Sequence, residues 1–371
     1  MTDRVPVVYN SLSQTLARAY PHLRLTGDMS NNVAAFLKEN KAKIDSFILT
    51  VLPLKDPVPE VELLFTMMRE YPQRSGKGLR PGLCLLTCRS FGGDSDKALT
   101  TAAALELFQN WIVIHDDIED DSELRRGSPA LHVQYNTPLA INAGDALAGK
   151  MWEVLLRNHE ILGPEKSFAI LREFSVMLGK TTSGQHIELS WVNDDRWDLT
   201  EEDYLLMCRN KTAWYTVVAP MRLGAIIADG PEEAPAMVVD LGLKLGVAFQ
   251  IQDDVLNLVG SEEKYGKEIG GDIQEGKRTL ITIHLYNHAD ETERFQIRSI
   301  MSKPRQDKTP EEVQRILALM HSHGSIEYAS DFAHRLAAEA KEMLKELPFN
   351  GDPRYREMLG QLVDFVVCRE L

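Results

Sequence analysis

TAAALELFQNWIVIHDDIEDDSELRRG, residues 101–127, turns from apolar to acidic to basic within a single stretch. Its first half is apolar on more than one helical face: Thr101-Ala102-Ala103-Ala104-Leu105-Glu106-Leu107 continues into Trp111-Ile112-Val113-Ile114. A helix with no polar face must be surrounded by other helices, so this one belongs at the centre of a bundle. Six carboxylates within eight residues follow, and Arg125 and Arg126 come directly after them. On a helix, residues i and i+4 share a face, so Asp116 and Asp120 point the same way one turn apart. Taken alone, the run reads as a solvated acidic helix end.

The pattern is repeated. Val113-Ile114-His115-Asp116-Asp117-Ile118-Glu119-Asp120 is answered by Gln250-Ile251-Gln252-Asp253-Asp254-Val255-Leu256-Asn257. The second copy has apolar flanks, Leu245-Gly246-Val247-Ala248-Phe249 and Val255-Leu256, so its carboxylates face an interior. Unpaired interior carboxylates are costly and call for a cation. The candidate ligands are Asp116, Asp117, Asp120, Asp253, Asp254 and Asn257. They offer only oxygen, which selects Mg²⁺ or Mn²⁺ over zinc. Mg²⁺ keeps waters and is completed by substrate phosphates, so two facing acidic helices imply a diphosphate site at the mouth of an apolar cavity. Cations gather around the two motifs. Ser75-Gly76-Lys77-Gly78-Leu79-Arg80-Pro81 sets two of them at a helix start, where free N–H groups also favour an anion. It is not a Walker A loop. Lys211-Thr212 lies in a helical stretch, and Lys267 and Lys277 flank Gly270-Gly271-Asp272.

The rest of the chain agrees with a helical enzyme. Of its 371 residues, 44% are hydrophobic and only 7% aromatic, which favours helix over an aromatic-rich sandwich. The formal charge of −14 argues against a nucleic-acid partner. Cys84 and Cys88 are either a zinc half-site without a matching pair or buried reduced thiols, and the second reading is preferred. No signal peptide and no continuous apolar run of about 18 residues is read, which leads to the expectation of a cytoplasmic protein without an integral membrane segment. Helical period predicts helices over 32–51, 59–72, 79–92, 97–121, 137–158, 165–190, 201–229 and 236–259. Four shorter ones follow near 277–287, 309–322, 325–346 and 353–369. Ser128-Pro129 reads as a turn, and Thr309-Pro310-Glu311-Glu312 as an N-cap with proline at N1. Strand signals are nearly absent. The expectation is an extension over 1–30 and one all-α domain over 31–371, a large bundle around a central apolar cavity.

Together these motifs resemble the trans-isoprenyl diphosphate synthases, or polyprenyl synthetases, and the resemblance runs from about Asn31 to the C-terminal helices. It rests on Gly76-Lys77-Gly78-Leu79-Arg80-Pro81, Asp116-Asp117-Ile118-Glu119-Asp120, Arg125-Arg126-Gly127 and Gly184-Gln185. Lys211-Thr212, Phe249-Gln250-Ile251-Gln252-Asp253-Asp254 and Gly266-Lys267 complete it. It implies the isoprenoid synthase fold and a Mg²⁺-dependent head-to-tail condensation of isopentenyl diphosphate with an allylic diphosphate. By resemblance, Asp116, Asp120 and Asp253 bind the metal cluster. Arg125, Lys211 and Lys267 neutralise the allylic diphosphate, with Lys277 as a looser partner. Lys77, Arg80, Arg126 and Gln109 take isopentenyl diphosphate, with Gln185 on the substrate side. Thr212 and Gln250 aim dipoles at the allylic cation. His115 has the look of a general base or of a structural group under the metal site. A homodimer is implied as well.

Three departures stand out: Asn257 where many members carry aspartate, Glu188 where Gly-Gln-x-x-Asp is usual, and no basic C-terminal tail. For product length, Trp111 lies ~7–8 Å and Phe108 ~12 Å below the metal end of the helix. Aromatic bulk there, beside Ile112, would stop elongation at C15 to C20, leaning to C20, unless both rings pack between helices and another helix sets the floor. Rival readings are a class I terpene cyclase, a His-Asp phosphohydrolase and a non-catalytic subunit of a heteromeric synthase. The Lys77/Arg80/Arg126 group disfavours the cyclase, and the intact first motif disfavours the subunit.

Overall fold

The helix expected near 97–121 runs from Ser95 to Glu119 in the computed structural model, which describes residues 31–74, 76–260 and 269–367. The extension over 1–30, the Gly266-Lys267 motif and Cys368 lie outside the described residues.

In chain order, α1 (Asn31–Val51), α2 (Pro59–Gln73), α3 (Leu79–Ser90) and α4 (Ser95–Glu119) lead into a two-residue antiparallel hairpin. Its strands are β1 (Leu124–Arg125) and β2 (Ser128–Pro129), with Arg125 opposite Ser128. Then come α5 (Leu131–Gln134), α6 (Thr137–Leu156), α7 (Asn158–Leu162), α8 (Pro164–Asn193) and α9 (Glu201–Cys208). A π-helical segment (Arg209–Val218) joins α9 to α10 (Ala219–Ile227), and α11 (Ala234–Val259) follows. The last part holds α12 (Gly271–Glu275), α13 (Leu280–His288), α14 (Glu291–Met301), a 3₁₀ turn (Arg305–Asp307), α15 (Pro310–Ser322), α16 (Ser325–Lys345) and α17 (Pro353–Val367).

Two apolar helices organise the bundle. α4 is N-capped by Asp94, whose side chain accepts from the Asp96 amide at 3.0 Å, and it is buried along most of its length. It packs on α3 and α6, while α11 packs on α16 and the π segment. By length and composition alone α11 could cross a membrane. Its apolar window is 56% buried in the bundle, however, and the helix carries Asp253 and Asp254, so it is read as a core helix.

Four local readings change. The turn lies at Arg126-Gly127, not Ser128-Pro129: both have positive φ, 54° and 74°, as a type I′ hairpin turn demands. The helix expected from 277 begins at Leu280, because Gly276 takes φ 73° and Thr279 caps the new start. α14 went unpredicted although Asp290 and Glu293 form a capping box. The Thr309 cap with Pro310 at N1 is present as read.

The fourth change matters most for function. The single helix expected over 201–229 contains ten residues of π-helix, a rare i→i+5 geometry found mostly as short bulges. Two glycines allow close packing on it. A Cβ on Gly184 of α8 would lie 2.1 Å from the Lys211 amide nitrogen, and one on Gly246 of α11 would lie 2.4 Å from the Ala213 Cα. Gly184→Ala therefore forces backbone apart, and overpacking of this kind costs about 1–3 kcal/mol. A thermal melt followed by circular dichroism should show a midpoint several degrees lower; an unchanged midpoint would mean the segment yields freely.

Candidate active site

α4, α8, the π segment and α11 enclose a cavity of about 880 Å³. Asp116 and Asp253 both line it, so the two acidic motifs face one space. Lys77, Arg80, Gln109, Arg125, Arg126, Gln185, Lys211, Thr212, Gln250, Asp254 and Lys277 line the same cavity, as do Trp111 and Ile112.

At the first motif, the two aspartates in sequence do different things. Asp116 looks into the cavity, with Arg125 Nη2 at 3.4 Å and Lys211 Nζ at 3.6 Å. Asp117 is turned inward and fully buried. It accepts from the Tyr71 hydroxyl at 2.6 Å and from Arg125 Nε at 2.7 Å. Burial and the Asp117 carboxylate together raise the Tyr71 pKa, so that hydroxyl stays a donor. Asp120 is paired with Lys277 Nζ at 2.6 Å. Burial pushes the Asp120 carboxyl up to about 7, Lys277 opposes this, and the Asp116 charge adds to it.

The second motif repeats the division in part, since Asp254 lines the cavity as well. Asp253 lines the cavity, while Asp254 accepts from the Tyr204 hydroxyl at 2.7 Å and from Gln250 Nε2 at 2.8 Å. Gln250 in turn accepts from the Thr212 hydroxyl at 2.6 Å. This chain fixes the amide of Gln250 and leaves the oxygen lone pairs of Thr212 for the cavity. Asn257 is buried, and its side-chain oxygen accepts from the Asp272 amide at 3.1 Å; it caps the start of α12.

The lysines are buried among these carboxylates. Lys211 bonds Glu188 closely as well as facing Asp116; burial works against its ammonium, but the two carboxylates outweigh it and raise the pKa. Glu188, the residue that departs from Gly-Gln-x-x-Asp, thus reaches Lys211 with its longer arm. Gln185 donates to Glu119 at 2.6 Å. Arg80 bonds Thr216 at 2.8 Å and stacks on Tyr215, 4.3 Å from the ring centre. Arg126, held in the left-handed region, donates to the Tyr71 carbonyl at 2.9 Å. Lys77 sits 5.7 Å from the Phe365 ring centre. The Gln109 side-chain oxygen and Trp111 Nε1 are buried without a hydrogen-bond partner among the described residues. Phe108 is not on the cavity wall; it is buried, edge-on to Trp111 at 5.6 Å. His115 lines the cavity beside Gly144 and faces the Ile141 carbonyl at 3.4 Å.

Among the described residues, no three His, Cys, Asp or Glu side chains are already drawn together as a metal cage. The fit to a divalent cation is one of charge and donor type. Asp116 and Asp253 offer only oxygen to a shared cavity. This favours an added hard cation completed by a ligand.

Tyr71 and Tyr204 are the residues the sequence reading missed. They stand 46 and 50 positions before the aspartates they hold, so no local spacing marks them. Removing a donor from a buried carboxylate costs about 1–3 kcal/mol. Tyr71→Phe and Tyr204→Phe should each lower the urea midpoint of the ligand-free protein without changing the slope. An unaltered midpoint in both would show that the hydroxyls are dispensable.

The comparisons agree with this geometry. The family model described as polyprenyl synthetase matches residues 61–320. A short chain isoprenyl diphosphate synthase from Methanothermobacter thermautotrophicus is 37% identical over 295 residues, 80% of this chain and 87% of the relative. The crystal structure of geranylgeranyl pyrophosphate synthetase from Pyrococcus horikoshii superposes with a TM-score of 0.81 at 34% identity, over 92% of this chain and 100% of that one. A polyprenyl synthase from Caulobacter crescentus, solved with calcium and isoprenyl diphosphate, gives 0.81 at 26% identity over 93% and 99%. With two acidic helices around one cation-lined cavity and a family match over most of its length, the chain belongs to the polyprenyl synthetase family and is a prenyltransferase.

Proposed function

We propose that this prenyltransferase lengthens an allylic diphosphate by head-to-tail addition of isopentenyl diphosphate, and that its product is C15 to C20, leaning to geranylgeranyl diphosphate. The observation that carries this is one cavity lined by Asp116, Asp253, Arg125 and Lys211, by the Lys77/Arg80/Arg126 group, and by Trp111. A terpene cyclase has no use for that second cationic group. A non-catalytic subunit has no use for an intact first motif.

Asp116, Asp120 and Asp253 would hold divalent metal, Mg²⁺ by preference and Mn²⁺ as an alternative. Bound there, the metal would neutralise the charge that gathers on a departing diphosphate. We assign Asp117 and Asp254 a different part from the one their place in the motif suggested: each is held by a tyrosine and orients its neighbour. Asn257 holds α12 in the same supporting sense. Arg125, Lys211 and Lys277 would bind the allylic diphosphate, as would Lys267 from outside the described residues. Lys77, Arg80, Arg126 and Gln109 would take isopentenyl diphosphate, with Gln185 at the wall. The Thr212 oxygen, oriented through Gln250, would face the allylic carbon as positive charge develops on it. The isopentenyl double bond then attacks, and the proton leaves to the released diphosphate. The cavity walls exclude water, which would otherwise capture the cation.

Two further parts of the reading are proposals of the same kind. Exposed apolar side chains on α6 and α8, among them Leu139 and Phe168, support a homodimer. The buried free thiols of Cys84, Cys88 and Cys208 suit the reducing cytoplasm.

Labelled isopentenyl diphosphate incubated with Mg²⁺ and each allylic primer tests the reaction. Label should appear in a longer diphosphate; a hydrocarbon product would favour a cyclase. Asp116→Ala and Asp253→Ala should each lose several orders of magnitude in turnover, and retained turnover in either would remove the assigned role. Trp111→Ala should shift the product mass upward by at least one C5 unit. An unchanged product would place the floor on another helix.

A further inference from the structure

Lys277 is held from two sides. Its ammonium, at the cavity wall, lies 2.6 Å from Asp120 and 2.7 Å from Glu275 Oε2. The other oxygen of Glu275 is not idle: Oε1 accepts from Arg305 Nη1 at 3.0 Å. All four side chains are largely buried, with 4 to 14% of their surface exposed. The backbone around them is pinned as well. Lys308 Nζ donates to the Gln274 carbonyl at 2.6 Å, the Lys277 amide donates to the Asp272 carbonyl at 2.9 Å, and Arg278 bonds the Gly276 carbonyl and Asp195. Arg305 and Lys308 come from the segment between α14 and α15, far from Asp120 in sequence.

We propose that Glu275, braced by Arg305, is a positioning residue for Lys277. The proposal rests on the reading of Lys277 as a diphosphate-binding group. When a divalent cation takes the Asp120 carboxylate, Lys277 loses that partner and meets a like charge. A lysine on a free arm would swing away. Among the described residues Glu275 then supplies the remaining salt-bridged carboxylate, with Glu188 and Asp272 acting from farther off, and Arg305 keeps it from turning with Lys277. Lys277 then stays at the cavity wall, where it exchanges Asp120 for a diphosphate oxygen. The arrangement echoes Lys211, which stands between Asp116 and Glu188. At Lys277, however, the second carboxylate has a further cation of its own, Arg305.

The test is a double-mutant cycle read by steady-state kinetics with geranyl diphosphate and isopentenyl diphosphate. Glu275→Gln keeps the shape and removes the charge. It should raise KM for geranyl diphosphate about ten- to a hundredfold, the effect of losing a charged hydrogen bond. The KM for isopentenyl diphosphate should stay within about twofold by the same reasoning, since its proposed ligands are elsewhere. Glu275→Asp should recover part of the loss, and Arg305→Leu should move the same KM in the same direction. In a Lys277→Met background, Glu275→Gln should add little. Equal losses for both substrates, or a full additional loss in the Lys277→Met background, would overturn the proposal. Wild-type protein that makes no longer diphosphate would overturn the synthase reading itself. An active wild type matched by Glu275→Gln would overturn only the role of Glu275.

Discussion

Six carboxylates, from Asp116, Asp117, Asp120, Glu188, Asp254 and Glu275, are wholly or largely buried around one cavity, and none of them can be left without a counter-charge or a donor. The surrounding structure answers that demand one oxygen at a time. Tyr71 and Arg125 satisfy Asp117, and Tyr204 and Gln250 satisfy Asp254. Lys211 and Lys277 stand before Asp116 and Asp120. These partners come from α2, the hairpin, α9, the π segment, α11 and the segment after α12, so satisfying the carboxylates ties the bundle together around the cavity.

That arrangement also separates two duties within each motif. In both, the leading aspartate lines the cavity and the next one is held by a buried tyrosine, although Asp254 also reaches the cavity wall. A helix turns about 100° per residue, so adjacent side chains point in different directions. The leading one meets the cavity while its neighbour is anchored by hydrogen bonds from elsewhere in the bundle. The internal echo is therefore structural as well as sequential, down to the tyrosine that supports each copy.

The π segment is the other device. Ten residues of i→i+5 pairing carry Lys211 and Thr212, and Gly184 and Gly246 let two helices pack against that backbone at a distance no side chain would permit. The bulge presents Lys211 to Asp116 and the Thr212 hydroxyl to Gln250 from consecutive positions. Helical period alone read this region as one regular helix, because nothing in its residue types marks the change from i→i+4 to i→i+5 pairing.

Periodicity and the repeated Asp-Asp motif were enough to identify the long helices and the cavity-facing positions of Asp116 and Asp253, whereas Asp120 and Asn257, expected one turn on along the same faces, are not on the cavity wall. The helices and the motif both depend on contacts within one or two turns of a helix. They were also enough to group the cations that line the same cavity, since charge of one sign beside charge of the other needs no knowledge of the path between. What sequence could not supply were Tyr71 and Tyr204, the capping role of Asn257, and the Glu275–Arg305 brace on Lys277. Each joins groups that are distant in the chain or whose direction depends on a neighbouring helix. Short-range spacing determines which residues share a face; only the packing of one helix on another decides what that face meets.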